Sequence, residues 1–245
     1  MSQDLIRYCL ATADNALILG QRNAEWCGHG PVLEQDIAIT NISLDLIGQA
    51  RLFYQYAAEL IGDTDEDKLA FLRTEREFNN VLLVELPVND WAYTTLRQYF
   101  FSQYQQLLFE QLSRHNDPQI AAIAQKTKKE VDYHVTWSRD WVIRLGDGTT
   151  ESHERIQYAL TDWWGYTGEL FKATDYETSI IGTLLTDIYT KWHEAVEATL
   201  QEATLLMPEK TFMHQGGKSG IHTEHMGRLL AEMQYMQRTY PNSQW

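Results

Sequence analysis

The sequence is short of positive charge, of cysteine and of residues that break helices. Lys and Arg number 20 against 34 Asp and Glu, a formal charge of −14, and the pI is near 4.9. A polyanionic partner would be repelled over most of such a surface, so nucleic-acid binding is excluded as an expectation and good solubility is favoured. The two cysteines, Cys9 and Cys27, are too few for a disulfide framework and lack the CxxC spacing of a zinc or redox site; buried free thiols are expected. No stretch approaches the roughly 20 apolar residues that span a bilayer. The opening MSQDLIRYCL is interrupted by Asp4 and Arg7 where a signal peptide needs an apolar run, so no membrane association and a cytoplasmic location are expected.

With 5 prolines and 14 glycines, the 245 residues leave room for long uninterrupted helices. Apolar residues recur at spacings of three and four, and Asn-Gly hairpin signals are absent, so the fold class is read as all-α. The periodicity predicts helices near 3–23, 32–61, 66–84, 91–114, 117–145, 150–173, 177–207 and 223–239. Turn-forming clusters mark several ends: CGHGP at 27–31, LPVND at 86–90, NDP at 116–118, GDG at 146–148 and HQGGKSG at 214–220. Asp117 before Pro118 has the form of an N-cap followed by the favoured first-turn proline. One domain over 1–245 is expected, with a core bundle at about 3–145 and further C-terminal helices at about 150–239. Residues 62–90 are long enough to cross a bundle end to end, as the crossover of a ferritin-like four-helix bundle does.

Within 117–145, one seam contains Ile120, Ala124, Thr127, Val131, His134, Ser138, Trp141 and Leu145, which points His134 inward. Glu130 lies at the seam's edge among Lys126, Lys128 and Lys129, half-exposed. The second helix is apolar around most of its first half, which marks it as central, with Asn41, Asp45 and Gln49 as a polar row through it. A buried Asp45 would need a partner, and His134 is a candidate.

Polar residues inside central helices are what a carboxylate-bridged di-metal bundle requires: one Glu from each of two helices and a Glu-x-x-His from each of the other two. The chain has no Glu-x-x-His. Val131 stands three residues before His134, and Gly48 three residues after Asp45, so the carboxylate position of one pair and the histidine position of the other carry no donor. The set Asn41, Asp45, Gly48, Val131 and His134 therefore reads as a degenerate pseudo-site, with His134 a hydrogen-bonded core histidine. The alternative is a mononuclear metal site built from Asp45, His134 and Glu34.

Near the C-terminus, Gly-Lys-Ser at 217–219 lacks the earlier glycine of a P-loop, Phe212 standing there, and no strand precedes it. His222 and His225 have metal-pair spacing, but residues at a helix start capped by Thr223 account for them better. Met226, Leu229, Leu230, Met233 and Met236 make an apolar face suited to a core or a partner. Neither Cys27 with His29 nor the Trp163–Trp164 and Trp192–His193 pairs complete a site.

Three stretches carry a family resemblance over nearly the whole length: EWCGHGPVLEQDIAITNISLDLIGQAR, FLRTEREFNNVLLVELP and GGKSGIHTEHMGRLLAEMQYMQR, with the final Trp245. In them the chain resembles the C subunits of bacterial phenylacetyl-CoA ring 1,2-epoxidases, or phenylacetate-CoA oxygenases. Gly216, Gly217, Lys218, His222, Glu224 and His225 are its signature positions. The resemblance implies a ferritin-like fold and a non-catalytic structural role beside a homologous A subunit, which holds the di-iron centre and binds the CoA thioester. It also implies a further small subunit, a flavin and iron-sulfur reductase, and no cofactor in this chain; the reaction is ring epoxidation of phenylacetyl-CoA in aerobic phenylacetate catabolism. Self-association of the isolated chain stays open. So does a third reading, a stand-alone helical binding protein.

Overall fold

The computed structural model describes residues 3–209, 211–241 and 243; Trp245 lies outside them. Every regular element among the described residues is helical. The α-helices are α1 (Gln3–Ala24), α2 (Leu33–Ile61), α3 (Glu66–Phe71), α4 (Leu82–Glu85), α5 (Trp91–Leu112), α6 (Pro118–Gly146), α7 (Thr150–Trp163), α8 (Asp175–Ile181), α9 (Leu184–Glu202), α10 (Glu224–Met233) and α11 (Tyr235–Thr239). Single 3-10 turns occupy Glu75–Glu77, Trp164–Tyr166, Gly168–Phe171 and Gly217–Ser219. Two long helix pairs, α1 with α2 and α5 with α6, are separated in sequence by residues 62–90, the connectivity of the all-α, ferritin-like class.

The chain forms two compact units. The first holds the described residues up to Pro87, Thr174–Ile180 and those from Gln215 onward; the second holds Val88–Ala173 and Ile181–His214.

In the first unit, α1 and α2 run antiparallel: the Asp14 carboxylate meets Tyr54, while Gly20 faces Ser43, Leu46 and Ile47. A Cβ on Gly20 would lie 3.2 Å from Ile47 Cγ1 and 3.3 Å from the Ser43 carbonyl oxygen, so the missing side chain lets the helices approach closely. Ile18, Leu19, Ile39, Ile42, Leu46 and Phe53 are fully buried in this pair, each contributing about 1.5–3 kcal/mol. The expected single helix at 66–84 is instead two short helices and a 3-10 turn. Its backbone finds partners on α1: Asn79 N donates to Asp14 Oδ2 at 2.8 Å, Val81 N to Asn15 Oδ1 at 2.8 Å, and Arg22 Nε to the Glu85 carbonyl at 3.0 Å. Side chains thus satisfy backbone groups that a helix would have paired internally.

In the second unit α5 and α6 are also antiparallel: Trp91 packs edge-on against Trp137 and Trp141, Gln106 donates to Asp132, and Gln125 to the Ser113 carbonyl. Asp117 caps α6, accepting from Gln119 N and Ile120 N ahead of the Pro118 turn. Trp192 of α9 is buried against Phe100, Trp164 and Phe171, with ring centroids 5.0–5.9 Å apart, and its Nε1 donates to the Phe100 carbonyl at 2.9 Å. The expected helix at 150–173 ends at Trp163 and continues as 3-10 turns, and the one at 177–207 is broken at Gly182, whose φ of 59° a helix cannot contain. The last expected helix divides at Gln234 into α10 and α11.

Two expectations of burial need correcting. It is α5, not the first half of α2, that is buried around most of its circumference, even at Arg97, Gln98 and Ser102. On α2, Leu33 is 72% and Leu44 61% exposed, with Ile37 exposed on the same face. Cys9 is buried as expected, but Cys27 is exposed in the turn between α1 and α2.

Candidate functional site

The α6 seam is as the periodicity predicts: Ile120, Ala124, Thr127, Val131, His134 and Ser138 are buried, while Trp141 and Leu145 are half-buried. On α2, Asn41 and Gly48 are exposed, Asp45 is half-exposed and Gln49 is buried. A spacing of four advances 400° around a helix, so each step of the row drifts about 40° and carries it from solvent into the core. Asp45 therefore keeps part of its hydration. Asp45 belongs to the first unit and His134 to the second. Glu34, the third ligand of the mononuclear alternative, is exposed. Gly48 and Val131 stand where a Glu-x-x-His pattern needs a donor, and neither side chain has one. Among the described residues, no group of three or more His, Cys, Asp or Glu is placed to hold a metal ion.

The C-terminal signature is where the structure concentrates buried polar chemistry. Gly217 and Lys218 sink into the first unit through a 3-10 turn, and Gly216 and Gly220 take positive φ values of 148° and 74° on either side. A Cβ on Gly217 would overlap the Asn80 carbonyl oxygen, so glycine is what lets this turn reach the 78–82 backbone. Lys218 Nζ then lies 2.8 and 3.1 Å from the two carboxylate oxygens of Glu177 in α8, with both side chains less than a tenth exposed. Glu177 Oε2 also accepts from Thr174 N at 2.8 Å. Burial, and next the Glu177 charge, push the Tyr8 phenol well above its usual pKa and keep it neutral.

Four residues further on, His222 enters a cluster around Glu85. Its Nδ1 is 2.6 Å from Glu85 Oε2 and its Nε2 is 3.0 Å from the Phe78 carbonyl oxygen, and neither side chain of the pair is exposed. Asn80 Nδ2 donates to Glu85 Oε2 at 2.8 Å and Thr223 N to Oε1 at 2.6 Å. Thr223 is the N-cap of α10 by position, but the Glu85 carboxylate rather than its own side chain receives a terminal N–H. Arg22 joins the cluster by donating Nε to the Glu85 carbonyl and Nη2 to the His225 carbonyl at 3.3 Å. Both His222 nitrogens are engaged, so the His222–His225 spacing is not a metal pair here. His225 is half-buried and Glu224 is exposed in the first turn of α10.

A third buried pair joins Asp14 to Arg73, with Tyr54 donating to Asp14 Oδ1 at 2.6 Å. Burial alone would lower the Arg73 pKa; the charge and hydrogen bond of Asp14, together with Tyr54 and Glu77, more than offset it and raise the value above the ordinary arginine range. Glu85, Glu177, Asp14 and Arg73 carry this chemistry, and sequence reasoning did not single them out. Glu85 and Asp14 had a signal: each is a lone carboxylate in an apolar run, VLLVELP and ATADNALILG. Every one of these carboxylates is held by several donors, an arrangement that fastens segments together and presents no nucleophile beside a base.

Comparison with known proteins finds relatives of this sequence. A relative from Escherichia coli (strain K12), the C subunit of 1,2-phenylacetyl-CoA epoxidase, is 48% identical over 245 residues, covering 98% of this chain and 99% of the relative. The family model described as Phenylacetic acid catabolic protein matches residues 1–245, and the chain belongs to that family.

Proposed function

We propose that this chain is a non-catalytic structural subunit of a multicomponent phenylacetyl-CoA ring 1,2-epoxidase, and that it binds and stabilises a homologous di-iron catalytic subunit. The observation that carries the reading is the donor set: the chain has no Glu-x-x-His, and the buried Val131 offers no side-chain donor where a di-metal bundle needs a carboxylate three residues before His134. The name of the E. coli relative, one of the subunits of that epoxidase, supports membership of a complex. Leu33, Ile37 and Leu44, exposed on one face of α2, support it further as apolar positions available to a protein partner. On this reading the chain carries no cofactor, works in the cytoplasm, and operates with a further small subunit and a flavin and iron-sulfur reductase. No helix among the described residues is long and apolar enough to cross a membrane, in keeping with that location.

The test is transition-metal content, by mass spectrometry, of the chain purified alone from iron-supplemented cells. Less than about a tenth of an equivalent is expected, against close to two for a competent di-iron bundle. Near one equivalent, abolished by His134→Ala, would replace this reading with the mononuclear enzyme.

A further inference from the structure

Of the cations that Arg73, Lys218 and His222 supply to the buried pairs of the first unit, His222 alone belongs to a residue type that titrates near neutrality. Its two nitrogens both face acceptors, Glu85 Oε2 and the Phe78 carbonyl oxygen. A neutral imidazole has one N–H and one lone pair and satisfies only one of them; the imidazolium satisfies both. The side chain has no exposure, so bulk water supplies no substitute donor. Two carboxylates act on the ring: Glu85 comes from α4, and Glu75, from the 3-10 turn, also raises its proton affinity. Arg22 of α1 directs Nη1 to Glu25 at 2.7 Å and its other donors to main-chain carbonyls, leaving His222 as the cation on the Glu85 carboxylate.

We propose that protonated His222 is a pH-operated latch that, beside the Lys218–Glu177 pair, fastens the segment 216–239 onto Phe78–Glu85, and that loss of its proton loosens that segment. The consequence reaches the surface, because the exposed Ile221 adjoins His222 on the latched segment. The sign follows from the surroundings. Burial opposes the charged ring, but the hydrogen bond and charge of Glu85, with the Phe78 carbonyl, outweigh it and raise the His222 pKa above the usual value. A raised folded pKa means that the stabilisation is fully present below about pH 6.5, the unfolded value, and is lost as pH rises through the folded one.

The test uses the whole chain, labelled with 15N-histidine, over pH 6 to 9. Long-range nitrogen–proton correlation reads the His222 ring, and hydrogen-exchange mass spectrometry, corrected for intrinsic rates, reads residues 216–233. Both ring nitrogens should carry protons at pH 6.5, and from about pH 6.5 up to the ring titration the protection of 216–233 should fall about tenfold per pH unit, levelling off above it. Glu85→Gln should move the ring titration to lower pH, and His222→Gln should make the protection independent of pH. A ring with one bare nitrogen at pH 6.5, or protection that stays constant through the titration, would overturn the latch. Both of those readings come from the unsubstituted chain, so a variant that fails to fold leaves the decision intact.

Discussion

Asp14→Ala should be among the most damaging single substitutions in the first unit. Asp14 is fully buried in α1 and accepts from Asn79 N, from Tyr54 and from two Arg73 nitrogens, one of them at 3.2 Å. At that separation and an effective dielectric constant near 20, the charge pair alone is worth about 5 kcal/mol before desolvation. Deleting the carboxylate leaves the 9%-exposed Arg73 without its counter-charge and the Asn79 N–H without its acceptor. Loss of one member of a buried pair costs about 3–5 kcal/mol, which lowers the melting temperature of a chain this size by about 10 °C or more. Urea denaturation and calorimetry would measure the loss, and hydrogen exchange in α1 would locate it. Asp14→Leu combined with Arg73→Met should recover much of the stability, because no uncompensated charge remains. A cost below about 1 kcal/mol for Asp14→Ala would refute the reasoning.

Other substitutions separate packed glycines and buried pairs from open surface. Gly217→Ala should loosen the C-terminal segment, because the new methyl overlaps the Asn80 carbonyl; increased exchange of 216–233 would report it. Gly48→Ala meets no atom within 4 Å and should stabilise the isolated chain by about 0.5–1 kcal/mol through helix propensity, read by the urea midpoint. Lys218→Met should cost about 3–5 kcal/mol by leaving Glu177 buried without its counter-charge, and Glu177→Gln in the same chain should recover part of it. Trp192→Ala should cost about 3–5 kcal/mol by emptying the aromatic cluster of the second unit, seen as a lower urea midpoint.

Much of the fold is legible in the sequence because long amphipathic helices announce themselves by period. The α6 seam and the Asp117–Pro118 start needed nothing beyond local pattern. Residues 66–84 carry apolar spacing too, but their backbone is claimed by Asp14, Asn15 and Arg22 on α1, partners separated from it by about sixty residues and invisible to a local window. Apolar spacing on α2 was equally ambiguous, since it records that Leu33, Ile37 and Leu44 suit an apolar contact without saying whether this chain provides one. The absence of a Glu-x-x-His pattern is readable from residue types alone. The Glu85–His222 and Glu177–Lys218 pairs are not, because each joins positions whose proximity only the folded chain creates.

The central claim is that this chain supports an oxygenase without performing its chemistry. Its most direct test mixes the purified chain with the homologous di-iron subunit and the reductase, follows co-elution by size-exclusion chromatography, and assays epoxidation of phenylacetyl-CoA with each component omitted in turn. The account predicts a stable complex, turnover that requires the di-iron subunit, and no turnover by this chain with the reductase alone. Epoxide formed in the absence of the di-iron subunit, or separate elution of the two chains, would contradict it.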